Sequence, residues 1–128
     1  MLVHEYMSKS PVTVRDDNVY LDAFRILENS EMHHLPVVNA NGEVVGILAR
    51  RDLQLAARLY RESPIEISEI MHTPVQTTPS NVSLSSAAQL MMEQRIGCLP
   101  VLDKNNKLEG ILTETDMFRA LCDLLKKD

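Results

Sequence analysis

The sequence predicts an α/β fold made of two copies of one β-α-β-β-α unit, and three observations carry that prediction. At an offset of 64 residues Met7 aligns with Met71, Ala23 with Ala87, Leu35-Pro36-Val37 with Leu99-Pro100-Val101, and Gly46-Ile47-Leu48 with Gly110-Ile111-Leu112. Such self-similarity marks a tandem repeat. Within each copy the apolar period switches between the spacing of a helix and that of a strand. Finally, 128 residues with 45% hydrophobic and 24% charged content, six prolines and four glycines belong to an ordered globular chain.

The elements follow in order. "SPVTV" and "TPVQT" open the copies as short first strands, with one-residue slips that fall near element ends. Val19, Ala23, Ile26 and Leu27 recur at i, i+4, i+7 and i+8, with Val82, Ala87, Leu90 and Met91 as counterparts, so each copy continues with an amphipathic helix. Two β-branched runs follow "LP" in each copy, "VVNANGEVVGIL" and "VLDKNNKLEGIL", and Asn41-Gly42 is a hairpin turn signal. A second helix closes each copy, with apolar stripes Leu53/Ala56/Ala57/Tyr60 and Met117/Ala120/Leu121/Leu124. These limits give repeat 1 at residues 1–62, a connector at 63–70 around Ser63-Pro64, and repeat 2 at 71–128.

Composition excludes several function classes. A net charge of −5 lacks the clustered Lys and Arg of a nucleic-acid binder. The opening "MLVHEYMSKS" has neither a basic n-region nor an apolar h-region, and no apolar run reaches membrane length, so a soluble, cytoplasmic protein is expected. Cys98 and Cys122 form no disulfide framework and no zinc spacing. His4, His33, His34, His72 and Cys98 lack the i, i+4 or C-x-x-C spacing of a metal site, so no metal is expected. Cys98 has no evident base beside it and reads as a small packing residue, and no catalytic constellation supports a hydrolase. The methionines, Met91 and Met92 among them, read as core fillers. Glu28, Glu31 and Glu114 read as a solvated face.

The heptads "GILARRD" (46–52) and "GILTETD" (110–116) are the chemical signature. An ionised Asp accepts hydrogen bonds only, which suits the vicinal hydroxyls of a ribose, and Asp52 and Asp116 both qualify. A hydroxyl three residues earlier, where a strand leads into a helix, can donate to a phosphate oxygen while the helix N-terminus favours the anion. Thr113 supplies that hydroxyl and Ala49 does not. "TETD" also fits a capping box with Thr113 as N-cap. Asp52, however, persists where Ala49 offers nothing to cap with, and capping and binding are compatible.

Carried by "MSKSPVTV…NVYLDAFRILENSEMHHLPVVNANGEVVGILARRD" and "MHTPVQTT…NVSLSSAAQLMMEQRIGCLPVLDKNNKLEGILTETD", the chain resembles the cystathionine-β-synthase (CBS) domain family over nearly its whole length. The resemblance implies a stand-alone pair related by a pseudo-twofold axis, with two clefts that commonly take AMP, ADP, ATP or S-adenosylmethionine as ligand rather than as a tightly held cofactor. It implies a sensor, not an enzyme. It also implies a main cleft combining Thr113 and Asp116 with His33 and His34, the residues before "LP", and with Lys9, Ser10, Pro11 and Val12 at the adenine. The second cleft would combine Asp52 with Gly97, Cys98, Thr73, Pro74 and Val75, lacking both hydroxyl and cations. A homodimer through the second-helix stripes is the expected assembly. A constitutive dimerisation or interaction module with vestigial clefts is the alternative function.

Overall fold

The computed structural model describes residues 1–126 and resolves the chain into two compact units, each with its own sheet and core. The central unit is the continuous segment Val12–Val75. The split unit joins Met1–Pro11 to the stretch from Gln76 onward. The units therefore do not coincide with the sequence repeats, because the N-terminal segment of each repeat packs in the other repeat's unit.

In the central unit, β2 (Val14–Arg15), α2 (Tyr20–Glu28), β3 (His34–Val38), β4 (Val44–Ala49) and α3 (Arg50–Tyr60) follow the expected order. The split unit repeats it as β5 (Thr78–Pro79), α4 (Leu84–Gln94), β6 (Cys98–Leu102), β7 (Leu108–Thr113) and α5 (Glu114–Leu125), and adds α1 (Val3–Tyr6) and β1 (Ser8–Lys9). In each unit the short first strand runs parallel to the strand after "LP", and the hairpin is antiparallel. Sheet order is β2-β3-β4 in the central unit and β1-β7-β6-β5 in the split unit.

The hairpin turns are the same device twice. Asn39 Oδ1 accepts from the N–H groups of Asn41 and Glu43, each at 3.0 Å, while Gly42 takes φ +80°. Asp103 Oδ1 accepts from Asn105 at 2.8 Å and Lys107 at 3.0 Å, and Asn106 takes φ +60°. Asn tolerates the left-handed region through its short polar side chain, so it replaces Gly without losing the turn.

The central core gathers Val14, Tyr20, Ala23, Leu27, Leu35, Val37, Leu48, Leu53, Ala56 and Ile67. The split core gathers Val3, Met7, Leu84, Ala87, Met91, Leu99, Val101, Leu112 and Ala120. Two expectations change here. Leu53 and Ala56 are spent inside their own core, as is Ala120, and Ala57 and Met117 pack against the two cores, so these members of the stripes are not free for a partner. Of the stripes, Tyr60, at 40%, Leu121 and Leu124 stay exposed, joined by Leu55 and Leu59 on α3 and Phe118 and Leu125 on α5, which the stripes did not include. Met7 and Met91 fill the core as expected, but Met92 is 68% exposed.

Candidate functional site

The junctions β4–α3 and β7–α5 carry the two heptads, and a glycine in each makes room for a neighbouring strand. A Cβ on Gly46 would lie 2.5 Å from Met71 Sδ, and one on Gly110 would lie 2.7 Å from both Met7 Sδ and the Ser8 carbonyl oxygen. The segments that pass are the ones exchanged between repeats. His72 exchanges backbone hydrogen bonds with Ile47 at 2.9 and 3.1 Å, and β1 pairs Ser8 with Ile111 and Lys9 with Gly110. Lys9 and Ser10 thus belong to the unit of Thr113 and Asp116, and Thr73, Pro74 and Val75 to that of Asp52. The Thr73-Pro74 peptide is cis.

At the β7–α5 junction Asp116 is 5% exposed and bonded through both carboxylate oxygens. Its Oδ2 accepts from the Thr113 N–H at 2.8 Å and from the Thr113 hydroxyl at 3.2 Å, and its Oδ1 accepts from Arg119 Nη2 at 2.6 Å. Asp116 thus reaches back to its N-cap as a capping box requires. Arg119 is held from two further directions. It donates to the Tyr6 carbonyl at 2.7 Å and lies 5.8 Å from the centroid of the Tyr6 ring. The Tyr6 hydroxyl donates to Asp123 at 2.5 Å, and that bond pushes the phenol's pKa above its ordinary value.

The β4–α3 junction is built differently. Ala49 caps α3 with no side-chain bond, and Asp52, its side chain 24% exposed, instead has Oδ2 2.7 Å from His72 Nε2. The His72 side chain is 66% exposed. Across the hairpin His34 pairs with Ala49, and the His33 carbonyl accepts from Arg50 N–H at 2.8 Å, so the backbone of the "HHLP" histidines lies beside the 49–52 motif of its own unit. Gly97 and Cys98 stand in the same relation to Glu114 and Thr113 in the split unit. Pro11 lies at the end of the split unit's first segment, and Val12, 46% exposed, begins the central unit.

Cys98 is 7% exposed, and burial pushes its thiol up to about 12, so it stays a protonated packing group at ordinary pH. Among the described residues no group of three or more His, Cys, Asp or Glu could hold a metal, and no helix is long and apolar enough to cross a membrane. Sequence reasoning missed Arg119, Tyr6 and the Asp52–His72 pair. Arg119 lies three residues after Asp116 on one helix, a legible ion-pair spacing. The other two depend on the exchange of N-terminal segments.

Comparison with known proteins places this architecture. The CBS domain model matches residues 3–58 and 67–123. A CBS domain-containing protein of Dictyostelium discoideum is 34% identical, with 98% of this chain and 94% of that protein covered. A CBS domain pair solved in complex with 5'-methylthioadenosine and S-adenosyl-L-methionine is 29% identical at a TM-score of 0.84, covering 96% of this chain and 97% of its own. The pair protein CBSX2, solved in complex with AMP, is 25% identical at a TM-score of 0.81, covering 96% and 97%. The chain spans only 23% of the length of enzyme relatives it also matches. Two matched repeats, two α/β units of the expected element order and solved structures that superpose along nearly its full length show that this chain belongs to the CBS domain family.

Proposed function

We propose that this chain is a non-catalytic regulatory module that binds an adenosine-containing ligand, an adenine nucleotide of the AMP, ADP or ATP kind. The observation that carries this reading is that two CBS domain pairs, alike along 96% of the chain, were solved with adenosine compounds bound. The main site in this proposal uses Thr113 and Asp116, with Lys9, Ser10, Pro11 and Val12 toward the adenine. The weaker site uses Asp52 with Gly97, Cys98, Thr73, Pro74 and Val75. His33 and His34 enter the main site on the family resemblance alone.

The local chemistry supports this choice. Asp116 Oδ1 takes a single donor, which leaves acceptor capacity for a ribose hydroxyl. Arg119 beside it carries a guanidinium suited to phosphate. Asp52 has the His72 imidazole as its neighbour instead. The free cysteines accord with a cytoplasmic location. Ligand binding transmits a signal through whatever difference in affinity exists between two states of the module.

A melting panel of AMP, ADP, ATP, S-adenosylmethionine and adenosine tests the reading. A ligand at a hundred times its dissociation constant stabilises the fold by about 2.7 kcal/mol, a resolvable shift. Thr113→Val should shrink the AMP-induced increment far more than Asp52→Ala does. Melting temperatures unmoved by millimolar ligand would instead favour a constitutive interaction module, the reading supported by exposed Phe118, Leu121 and Leu125.

A further inference from the structure

The two heptad carboxylates stand in two settings within one chain. Asp116 reaches back to the N-cap of its helix and accepts from the Thr113 N–H at 2.8 Å, and its side chain is 7% exposed. Asp52 holds the same position behind its own N-cap residue, Ala49, yet forms no capping box there. Its Oδ2 lies 2.7 Å from His72 Nε2 instead, and its side chain is 24% exposed. An ionised carboxylate only accepts, so the imidazole donates. Ser8 stands 64 residues before His72 and Leu55 64 residues before Arg119, so neither repeat carries the other's donor to its carboxylate.

Main-chain bonds place His72 independently of Asp52. Its N–H donates to the Ile47 carbonyl at 2.9 Å, its carbonyl accepts from the Ile47 N–H at 3.1 Å, and Gly46 has no side chain to obstruct the segment. The residue therefore stays beside the heptad when the side-chain bond breaks. The capping setting is also open to Asp52. Arg50 donates to the His33 carbonyl across the hairpin, which makes those two the hydrogen-bonded pair and Ala49 with His34 the other kind, turning the Ala49 N–H away from β3. Thr113 stands in the same relation to Cys98, and there the N–H is the one that Asp116 takes.

We propose that His72 is a positioning residue for the weaker adenosine site: by holding Asp52 out of the setting that Asp116 shows, it lowers that carboxylate's affinity for a ribose. The proposal rests on the ligand reading above, in which Asp116 in its capped setting takes the ribose at the main site. A ribose diol brings two hydroxyl donors to one carboxylate, and on Asp52 the imidazole already occupies part of that acceptor capacity. Ribose and His72 therefore compete. The site is weak for a reason beyond the missing hydroxyl at Ala49: the chain's own segment 71–75, which carries His72, brings a donor to the carboxylate before any ligand does.

Exchanging His72 for the residue of the other repeat tests this in the full chain. Calorimetric titrations with adenosine and with 2',3'-dideoxyadenosine compare wild type, His72→Ser and His72→Gln, with circular dichroism to confirm folding. His72→Ser should tighten the weaker of the two adenosine sites by roughly threefold to fivefold, the worth of one exposed ion pair, and leave the stronger unchanged. His72→Gln, which still donates to the carboxylate, should keep the wild-type affinity. Dideoxyadenosine should not distinguish the three proteins, because it has no diol to compete, and adding Asp52→Ala to His72→Ser should remove the gain. Hydrogen exchange of the Ala49 amide, followed by NMR without ligand, should slow about tenfold in H72S but not in H72Q as Asp52 takes up the capping bond. A gain shared by dideoxyadenosine or by H72Q, an adenosine affinity unmoved by H72S, or an unchanged Ala49 amide would each overturn the proposal and leave the ligand reading standing. Failure of adenosine to bind any of these proteins would overturn both.

Discussion

Asp52 and Asp116 close the same heptad, yet one is a partly exposed partner of a histidine and the other a buried hub for Thr113 and Arg119. Removing the two carboxylates should therefore have unequal effects on the ligand-free protein. Asp116→Ala strands a helix N-cap N–H and an arginine, and should cost about 2 kcal/mol or more. Asp52→Ala removes one contact to an exposed imidazole and should cost under about 1 kcal/mol. Urea unfolding without ligand measures both, and equal losses would mean that the Asp116 network contributes little. This asymmetry also sets how ligand experiments are read: the increment on adding AMP, not the melting temperature itself, reports binding. The capping role was legible in "TETD", whereas the Arg119 and Tyr6 bonds required α1 and α5 to be seen in one unit.

At the scale of elements, the repeated glycine and the repeated methionine explain each other. Gly46 accepts the segment carrying Met71, and Gly110 accepts the one carrying Met7. The obstacle differs between the two sites. At Gly46 the closest atoms belong to the flexible Met71 side chain, with the His72 carbonyl oxygen at 3.1 Å, whereas at Gly110 the Ser8 carbonyl oxygen itself is at 2.7 Å. Gly110→Ala should thus destabilise by about 1–3 kcal/mol, as other overpacking changes do. Gly46→Ala should cost less and be partly relieved by Met71→Ala, with thermal melts of the three variants as the check. A Gly46→Ala loss equal to that of Gly110→Ala and untouched by Met71→Ala would contradict this account. The pairing of Met and Gly at one offset was visible in the sequence. That each methionine meets the glycine of the other repeat was not, because hydrogen-bond partners of a two-residue strand leave no periodic trace.

For the molecule as a whole, the exchange of N-terminal segments decides where it can be divided. All ten buried residues of the central core lie within 12–75, among them Ile67, which donates its N–H to Asn18 O at 2.8 Å. A fragment of residues 12–75 should show cooperative thermal unfolding by circular dichroism. A fragment of residues 1–62, the sequence repeat, lacks Ile65, Ile67 and Met71 and carries Val3 and Met7 without their core. It should be unfolded or far less stable, since domains of this size have little stability to spare. Equal stability of the two fragments would show that the exchanged segments contribute little.

The sequence by itself determined the tandem architecture, the order of elements in each copy, both hairpin turns and the positions of the two heptads. These rest on local periodicity and turn chemistry, which act over a few residues and are written directly in the chain. Only the tertiary structure decided which segments complete which sheet, that Leu53 and Ala56 serve their own core, and that Asp116 is engaged while Asp52 faces His72. The physical reason is common to all of these: burial and pairing depend on what a distant part of the chain brings alongside, and an amphipathic stripe states that a face will be covered without stating by what.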